Sequence, residues 1–292
     1  MLSFKRVAGG FCAAREKRRK KMHGMERVGD LELRDNGPLV SVIMPAYNAG
    51  KYISEAIRSV LSQSFCNWEL LVIDDRSADD TAEKAESFCA YDPRVRLYRG
   101  EKNVGAKRSR DFALKMARGE WIAYLDADDC WESDKLQKQL EFAKEKNAEF
   151  TYTASSFMNE RGEPYGWIMN VPETIGYREL LKQNLISCSS IMVKKSLLLY
   201  NVPSGDGTHE DYALWLTLLK RGVLAYGLDL PLLRYRISRD SKSGNKLRSA
   251  LMTYRTYRLA GLSRLEAARH MPFYIFRGVK KYNSILKSKE KQ

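Results

Sequence analysis

The chain has 292 residues, 44% hydrophobic and 29% charged, enough to bury the core of one large domain or two small ones. No apolar run approaches the roughly 18 residues that span a bilayer, and the basic N-terminal segment lacks the apolar stretch of a secretory signal; both argue against a membrane-spanning or exported chain and predict a cytosolic one. The net charge of +14 is concentrated at the ends, with +7 on residues 1–28, +13 on residues 234–292 and −6 on the body between them, a distribution suited to docking on an anionic surface.

Residues 1–36 read as a basic, disordered tail. Leu39-Val-Ser-Val-Ile-Met44, closed by Pro45, is a β-branched apolar run and predicts a buried strand. Tyr52, Ile53, Ala56, Ile57, Val60 and Leu61 then recur at helical spacing. The alternation continues with a strand at Glu69–Ile73, a helix over 79–90, a short strand at Val95–Tyr98, a helix over 105–118 and a strand over 120–125. This order predicts an α/β domain whose mainly parallel sheet is covered on both faces, with ligands beyond the carboxyl ends of its strands. Three polar clusters follow three of those strands: Pro45-Ala-Tyr-Asn48, Asp74-Asp-Arg-Ser77 and Asp126-Ala-Asp-Asp129. All three should converge on one edge.

Beyond residue 133 the rhythm changes. A polar helix over 134–147 leads into a strand at Phe150–Thr153, then a Gly- and Pro-containing loop over 159–176, a small strand at Ser190–Val193 and a helix opened by His209-Glu-Asp-Tyr212. Residues 223–237 have room for one or two more strands. From Asn245 to Lys287 the pattern predicts two basic helices with Tyr254, Tyr257, Leu262, Leu265, Phe273, Tyr274 and Phe276 interleaved, a mixture that suits a lipid interface or, alternatively, packing on the body. Nucleic acid and the cytoplasmic leaflet are both candidate partners for the basic ends. The five cysteines are scattered and lack a C-x-x-C pair, so neither a disulfide framework nor a zinc site is indicated.

Neither G-x-G-x-x-G nor the P-loop pattern occurs, so the backbone-amide solution to phosphate binding is missing. Clustered carboxylates and only three separated histidines favour Mg²⁺ or Mn²⁺, held by one or two carboxylates together with substrate phosphates. Asp126 and Asp128 point the same way if their segment stays extended; the alternative is a turn with helix-capping acids.

The ordered stretches VSVIMPAYNAGKYISEAIRSVLSQSF, ELLVIDDRSADDT, NVGAKRSRDFAL and GEWIAYLDADD resemble the family 2 glycosyltransferases of the GT-A fold, over roughly residues 39–240. Within that family the chain is similar to bacterial enzymes that build capsule, lipopolysaccharide O-chain or teichuronic-acid-type polymers. The resemblance implies a nucleotide-sugar-binding half over 37–133 and an acceptor-binding half over 134–240, beyond which the residue pattern gives basic amphipathic helices over 241–292. It matches Pro45, Ala46, Tyr47 and Asn48 to the turn lining the nucleotide pocket, Asp75 to the acceptor of a uracil hydrogen bond, and Asn103 and Gly105 to the family's N-x-G stretch. Arg110 matches an arginine near the nucleotide. Asp126, Ala127 and Asp128 match the D-x-D motif, the first carboxylate meeting the ribose or a metal-bound water and the second the metal, with Asp129 a further ligand candidate. Asp111 departs from the Asn usual after the arginine and is expected to alter local pairing more than chemistry.

Alone, Glu210 and Asp211 would be N-terminal helix acids ahead of an apolar stripe. The resemblance makes Asp211 the catalytic base, with Glu210 orienting it or the acceptor. It thereby implies a single inverting displacement, helped by Mn²⁺ or Mg²⁺, from a UDP-sugar to a lipid-linked glycan or polysaccharide acceptor. The enzyme is expected to be peripheral at the inner face of the cytoplasmic membrane and to bind no nucleic acid. Arg236 and Arg239 belong to a segment resembling one that folds over the donor diphosphate, a solvated loop being the other reading. The Q-x-x-R-W motif and membrane helices of the processive synthases are not seen, so a single-transfer enzyme is expected. Two rivals carry different chemistry: a D-x-D-x-[TV] phosphatase, against which Cys130 stands at the fifth position, and a non-catalytic nucleic-acid-binding protein using the basic ends.

Overall fold

In the computed structural model of the chain, residues 4–6, 39–199, 207–238 and 246–289 are described, apart from the side chains of Lys5, Arg6, Lys246, Leu247 and residues 280–289. Most of the predicted tail, and Arg239, lie outside the described residues. Where the tail is described it is not disordered. Phe4–Arg6 (β1) pairs antiparallel with Val95–Gly100, and Phe4 stacks on Phe112 with ring centroids 4.3 Å apart. An aromatic ring with an apolar partner draws in a segment whose charges alone would leave it in water.

The parallel part of the sheet contains Val40–Ala46 (β2), Trp68–Asp74 (β3), Val95–Gly100 (β4) and Trp121–Tyr124 (β5), in the order β4-β3-β2-β5. β2 and β3 are buried along their whole length, as strands covered on both faces must be. Their side chains alternate between two layers. Val42, Met44, Leu70 and Val72 pack with Ile53, Ala56, Ile57 and Val60, the i, i+3, i+4, i+7 face of helix Ile53–Leu61 (α1). Ile43, Leu71 and Ile73 face the opposite layer, where they meet Ala113 of helix Ala106–Met116 (α3). Each such aliphatic side chain removed from water contributes roughly 1.5–3 kcal/mol. Helix Thr81–Tyr91 (α2) joins β3 to β4.

After β5 come Cys130–Trp131 (β6), helix Lys135–Glu145 (α4), Phe150–Met158 (β7), Pro164–Met169 (β8), Thr174–Ile175 (β9), Tyr177–Leu180 (α5), a 3₁₀ turn at Cys188–Ser190, Met192–Lys194 (β10) and Lys195–Leu198 (α6). Glu210–Lys220 (α7), Ala225–Arg236 (β11), Lys246–Leu259 (α8) and Arg264–Lys289 (α9) complete the described chain. The sheet continues β5-β10-β7-β11-β6, with β8 on β7 and β9 on β11. β10 runs antiparallel between β5 and β7, whereas β11 is parallel to β7.

One sequence expectation changes here. The loop expected over 159–176 contains β8 and β9, because Tyr165 and Trp167 alternate inward onto Phe157 and Met169 beneath the Gly and Pro residues that obscured the pattern. Of the one or two strands expected over 223–237 there is one, β11, with an irregular register between Leu228 and Leu233. β2 lies between β3 and β5, because the chain winds outward from β2 through β3 to β4 and then crosses back to place β5 on the other side of β2. The resulting crevice opens at the carboxyl ends of these three strands.

Candidate active site

The crevice is built first from backbone. Asp75 N–H donates to the Ala46 carbonyl at 2.8 Å, joining the ends of β3 and β2. Its buried carboxylate then accepts from Val104 N–H at 2.8 Å and Gly105 N–H at 2.7 Å, so it secures the turn that opens α3. Gly105 adopts φ 87° and ψ 157°, a conformation left to glycine, while a Cβ there would meet nothing. The loop after β2 is laced to the loop after β3: Asn48 N–H donates to Ser77 Oγ at 3.0 Å and Asn48 Oδ1 accepts from Ala78 N–H at 2.9 Å. Pro45 and Ala46 are buried in β2, whereas Tyr47, Asn48 and Asn103 are exposed around the crevice.

The acidic run after β5 is a turn and not an extended segment. Asp129 N–H donates to the Asp126 carbonyl at 3.1 Å, so the strand alternation expected to align Asp126 with Asp128 does not apply. The turn nonetheless crowds three carboxylates together around buried Ala127. Burial and then the neighbouring Asp126 push the Asp128 carboxyl up to about 6. Burial, Asp128 and Asp126 raise Asp129 well above the ordinary carboxylate range. Asp129 Oδ1 accepts from Arg236 N–H at 2.9 Å, while its buried Oδ2 has no hydrogen-bond partner among the described residues.

Asp126 carries its own countercharge, with Arg110 Nη2 2.5 Å from Oδ1, and its N–H donates to Ser189 Oγ at 3.0 Å. Burial disfavours the Arg110 charge, but Cys188, Asp126 and Asp211 outweigh it and hold the guanidinium pKa above its ordinary value. Arg110 Nε is another buried polar atom without a hydrogen-bond partner there. No group of three or more His, Cys, Asp and Glu forms a metal cage among the described residues. What is present is three carboxyl groups crowded at one turn, an oxygen donor set that fits a hard divalent cation drawing its remaining ligands from phosphate and water.

Arg236 does not lie in a loop over the crevice. Its side chain is 1% exposed, with Nη2 2.6 Å from Glu55 Oε2, Nε donating to the Asp128 carbonyl at 2.8 Å and the guanidinium 4.6 Å from the Tyr52 ring centre. It is a strut behind the acidic turn. Asp111 accepts from Lys107 at 2.6 Å, so the departure from Asn at this position creates a helix-surface ion pair.

α7 brings Glu210 and Asp211 close to Arg110. Its first turn contributes both acids to a cleft of about 470 Å³ whose lining includes Arg110, Lys107, Lys195, Tyr124 and Leu214. Asp128, Asp75 and the segment after β2 are not among the residues lining this cleft. Asp126 and Asp211 thus both lie near one arginine, which itself lines the α7 cleft. Sequence reasoning missed Ser189, buried Cys188 and Glu55, whose links to the acidic turn or its strut run between distant segments; the polar run Ser187-Cys-Ser-Ser190 before β10 was the available signal.

A model of the family described as Glycosyl transferase family 2 matches residues 41–198. A putative teichuronic acid biosynthesis glycosyltransferase of Bacillus subtilis is 39% identical over 76% of this chain and 88% of its own length. A UDP-Glc:alpha-D-GlcNAc-diphosphoundecaprenol beta-1,3-glucosyltransferase of Escherichia coli is 40% identical over 72% of this chain and 81% of its own. Among solved structures, S. aureus TarS 1-349 in complex with UDP-GlcNAc superposes with TM-score 0.60 at 22% identity, over 80% of this chain and 70% of that one. The mannosyltransferase PcManGT of Pyrobaculum calidifontis, in complex with GDP-Man and Mn²⁺, gives 0.62 at 17% identity, over 86% and 75%. At these identities the structural likeness bears on the fold alone, which is the GT-A fold expected from the sequence.

Proposed function

The chain belongs to glycosyl transferase family 2, and from that premise we propose that it transfers a sugar from a UDP-sugar, with inversion, to a hydroxyl of a lipid-linked or polysaccharide acceptor in cell-surface glycan synthesis. The observation that carries the reading is the arrangement around Arg110, which pairs with Asp126 of the acidic turn and lines one cleft together with Glu210 and Asp211. The donor diphosphate then lies at the acidic turn and the acceptor enters through the cleft, so that both reach one centre. In this reading Asp75 and the Tyr47–Asn48 turn hold the nucleoside, while Asp126, fixed by Arg110, meets the ribose or a metal-bound water.

Asp211 takes the proton from the acceptor hydroxyl as its oxygen bonds to the anomeric carbon and the bond to the nucleoside diphosphate breaks. Glu210 orients Asp211 or the acceptor. Bound by Asp128, with Asp126 and Asp129 beside it, Mn²⁺ or Mg²⁺ supplies neutralisation of the charge on the departing diphosphate. The named acceptor of the Escherichia coli relative supports a lipid-linked substrate, and with it work at the inner face of the cytoplasmic membrane.

Calorimetric titration of UDP with and without Mn²⁺, on the parent and on Asp128→Asn, tests the reading. Binding that needs the metal and is weakened by the substitution is the expected result. UDP binding that is absent, or indifferent to metal, overturns it.

A further inference from the structure

The sequence put the basic character of the last fifty residues first; the structure turns an apolar face outward. α8 is clamped to the helix carrying Glu210 and Asp211. His209 N–H donates to Thr256 Oγ1 at 2.9 Å, the Tyr212 and Tyr257 hydroxyls lie 3.3 Å apart, and Tyr257 donates to the Leu181 carbonyl at 2.6 Å. α9 packs inward through Ala267, which is buried, and Met271, with the His270 ring 6.0 Å from that of Tyr257. A surface helix ordinarily presents its polar side to water.

Here the outer side carries Leu265, 84% exposed, Phe276, 72% exposed, and Val279, at helical spacing along one stripe, with Phe273 and Ile275 exposed at its margins. Arg264, Arg269 and Arg277 are exposed around and within it. No helix among the described residues is long and apolar enough to cross a membrane.

We propose that this face of α9 lies in the interface of an anionic membrane, with Leu265 and Phe276 seated at the acyl boundary and the arginines among the headgroups. The arginines select lipid over a second copy of the chain, because two such rims brought together repel. Docking stands on α9 alone. Its consequence, that α8 sets the base helix close above the bilayer for a membrane-held acceptor, rests on the function proposed above.

Flotation of the full chain with phosphatidylcholine vesicles, with and without phosphatidylglycerol, tests docking. The parent floats, best with the anionic lipid. Leu265→Ser/Phe276→Ser lowers the partition coefficient roughly tenfold or more at an unchanged melting temperature, since two buried side chains carry that much. Arg269→Gln/Arg277→Gln weakens binding only to anionic vesicles and only at low salt, because screening acts on charge and not on apolar insertion. A serine variant that floats like the parent overturns the proposal. So does a parent that ignores vesicles and elutes as a dimer which the serine variant splits. Failure of UDP binding in the parent counts against the proposed function and leaves the flotation result readable.

Discussion

Replacing Arg236 by methionine removes the cation behind the acidic turn while retaining most of its apolar volume. Four acceptors lose their donor: the carbonyls of Asp128 at 2.8 Å, Asn159 at 3.2 Å and Glu160 at 3.4 Å, and the Glu55 carboxylate at 2.6 Å. The Glu55 side chain is 45% exposed and turns to water, so its charge is not stranded. The carbonyls of the partly exposed 159–160 turn rehydrate at modest cost. The bond to the Asp128 carbonyl comes from a charged donor and is worth about 1.5–3 kcal/mol. With the smaller losses added, the substitution should destabilise by about 3 kcal/mol, or roughly 5 °C in melting temperature for a chain of this size. Arg236→Lys keeps a charge for Glu55 but lacks the planar fork, so it should fall between the two. Thermal melting followed by calorimetric titration of Mn²⁺ with UDP present reads both consequences: a lowered midpoint and a metal affinity reduced because the Asp128 backbone has lost its support. Parent-like melting and parent-like metal titration in the methionine variant would refute the strut argument.

Asp211→Asn should lower transfer by roughly 10²–10⁴-fold while leaving UDP affinity intact, measured by product formation and calorimetry; surviving activity would place the base elsewhere. Gly105→Ala should cost about 1–3 kcal/mol, because its φ of 87° suits glycine, and should weaken UDP binding with it by disturbing the turn that Asp75 secures. Glu69 yields the pH prediction. Burial works to raise its pKa, but the Ser41 hydroxyl, the Arg118 amide and the Arg96 and Arg118 guanidinia prevail and hold it below the usual value. Its contribution is therefore fully present above about pH 4.5 and is lost as pH falls through the lower folded value. Melting temperature followed downward from neutrality should show this loss in the parent and less of it in Glu69→Gln, which should also start from a lower plateau.

The first half of the fold was legible because its strands are covered on both faces: Val40–Ala46 and Trp68–Asp74 had to be continuous apolar runs, and α1 had to repeat its apolar residues at helical spacing. Polar clusters closing three such strands announced the crevice. β8 was not legible, since Pro164 and Gly166 interrupt an alternation that exists only once Tyr165 and Trp167 have Phe157 to pack on. Nor was β1, whose Phe4 depends on Phe112, over a hundred residues away. At the site, the sequence by itself determined which carboxylates were available, their order and the α/β frame presenting them, because residue type and local period act over a few neighbours. Tertiary structure alone decided that Arg110 pairs with Asp126 beside Asp211, that Arg236 is buried behind the turn and that α9 turns its phenylalanines outward. Each of those depends on a contact between distant segments, or on which face of an element is covered, and neither is written in local spacing.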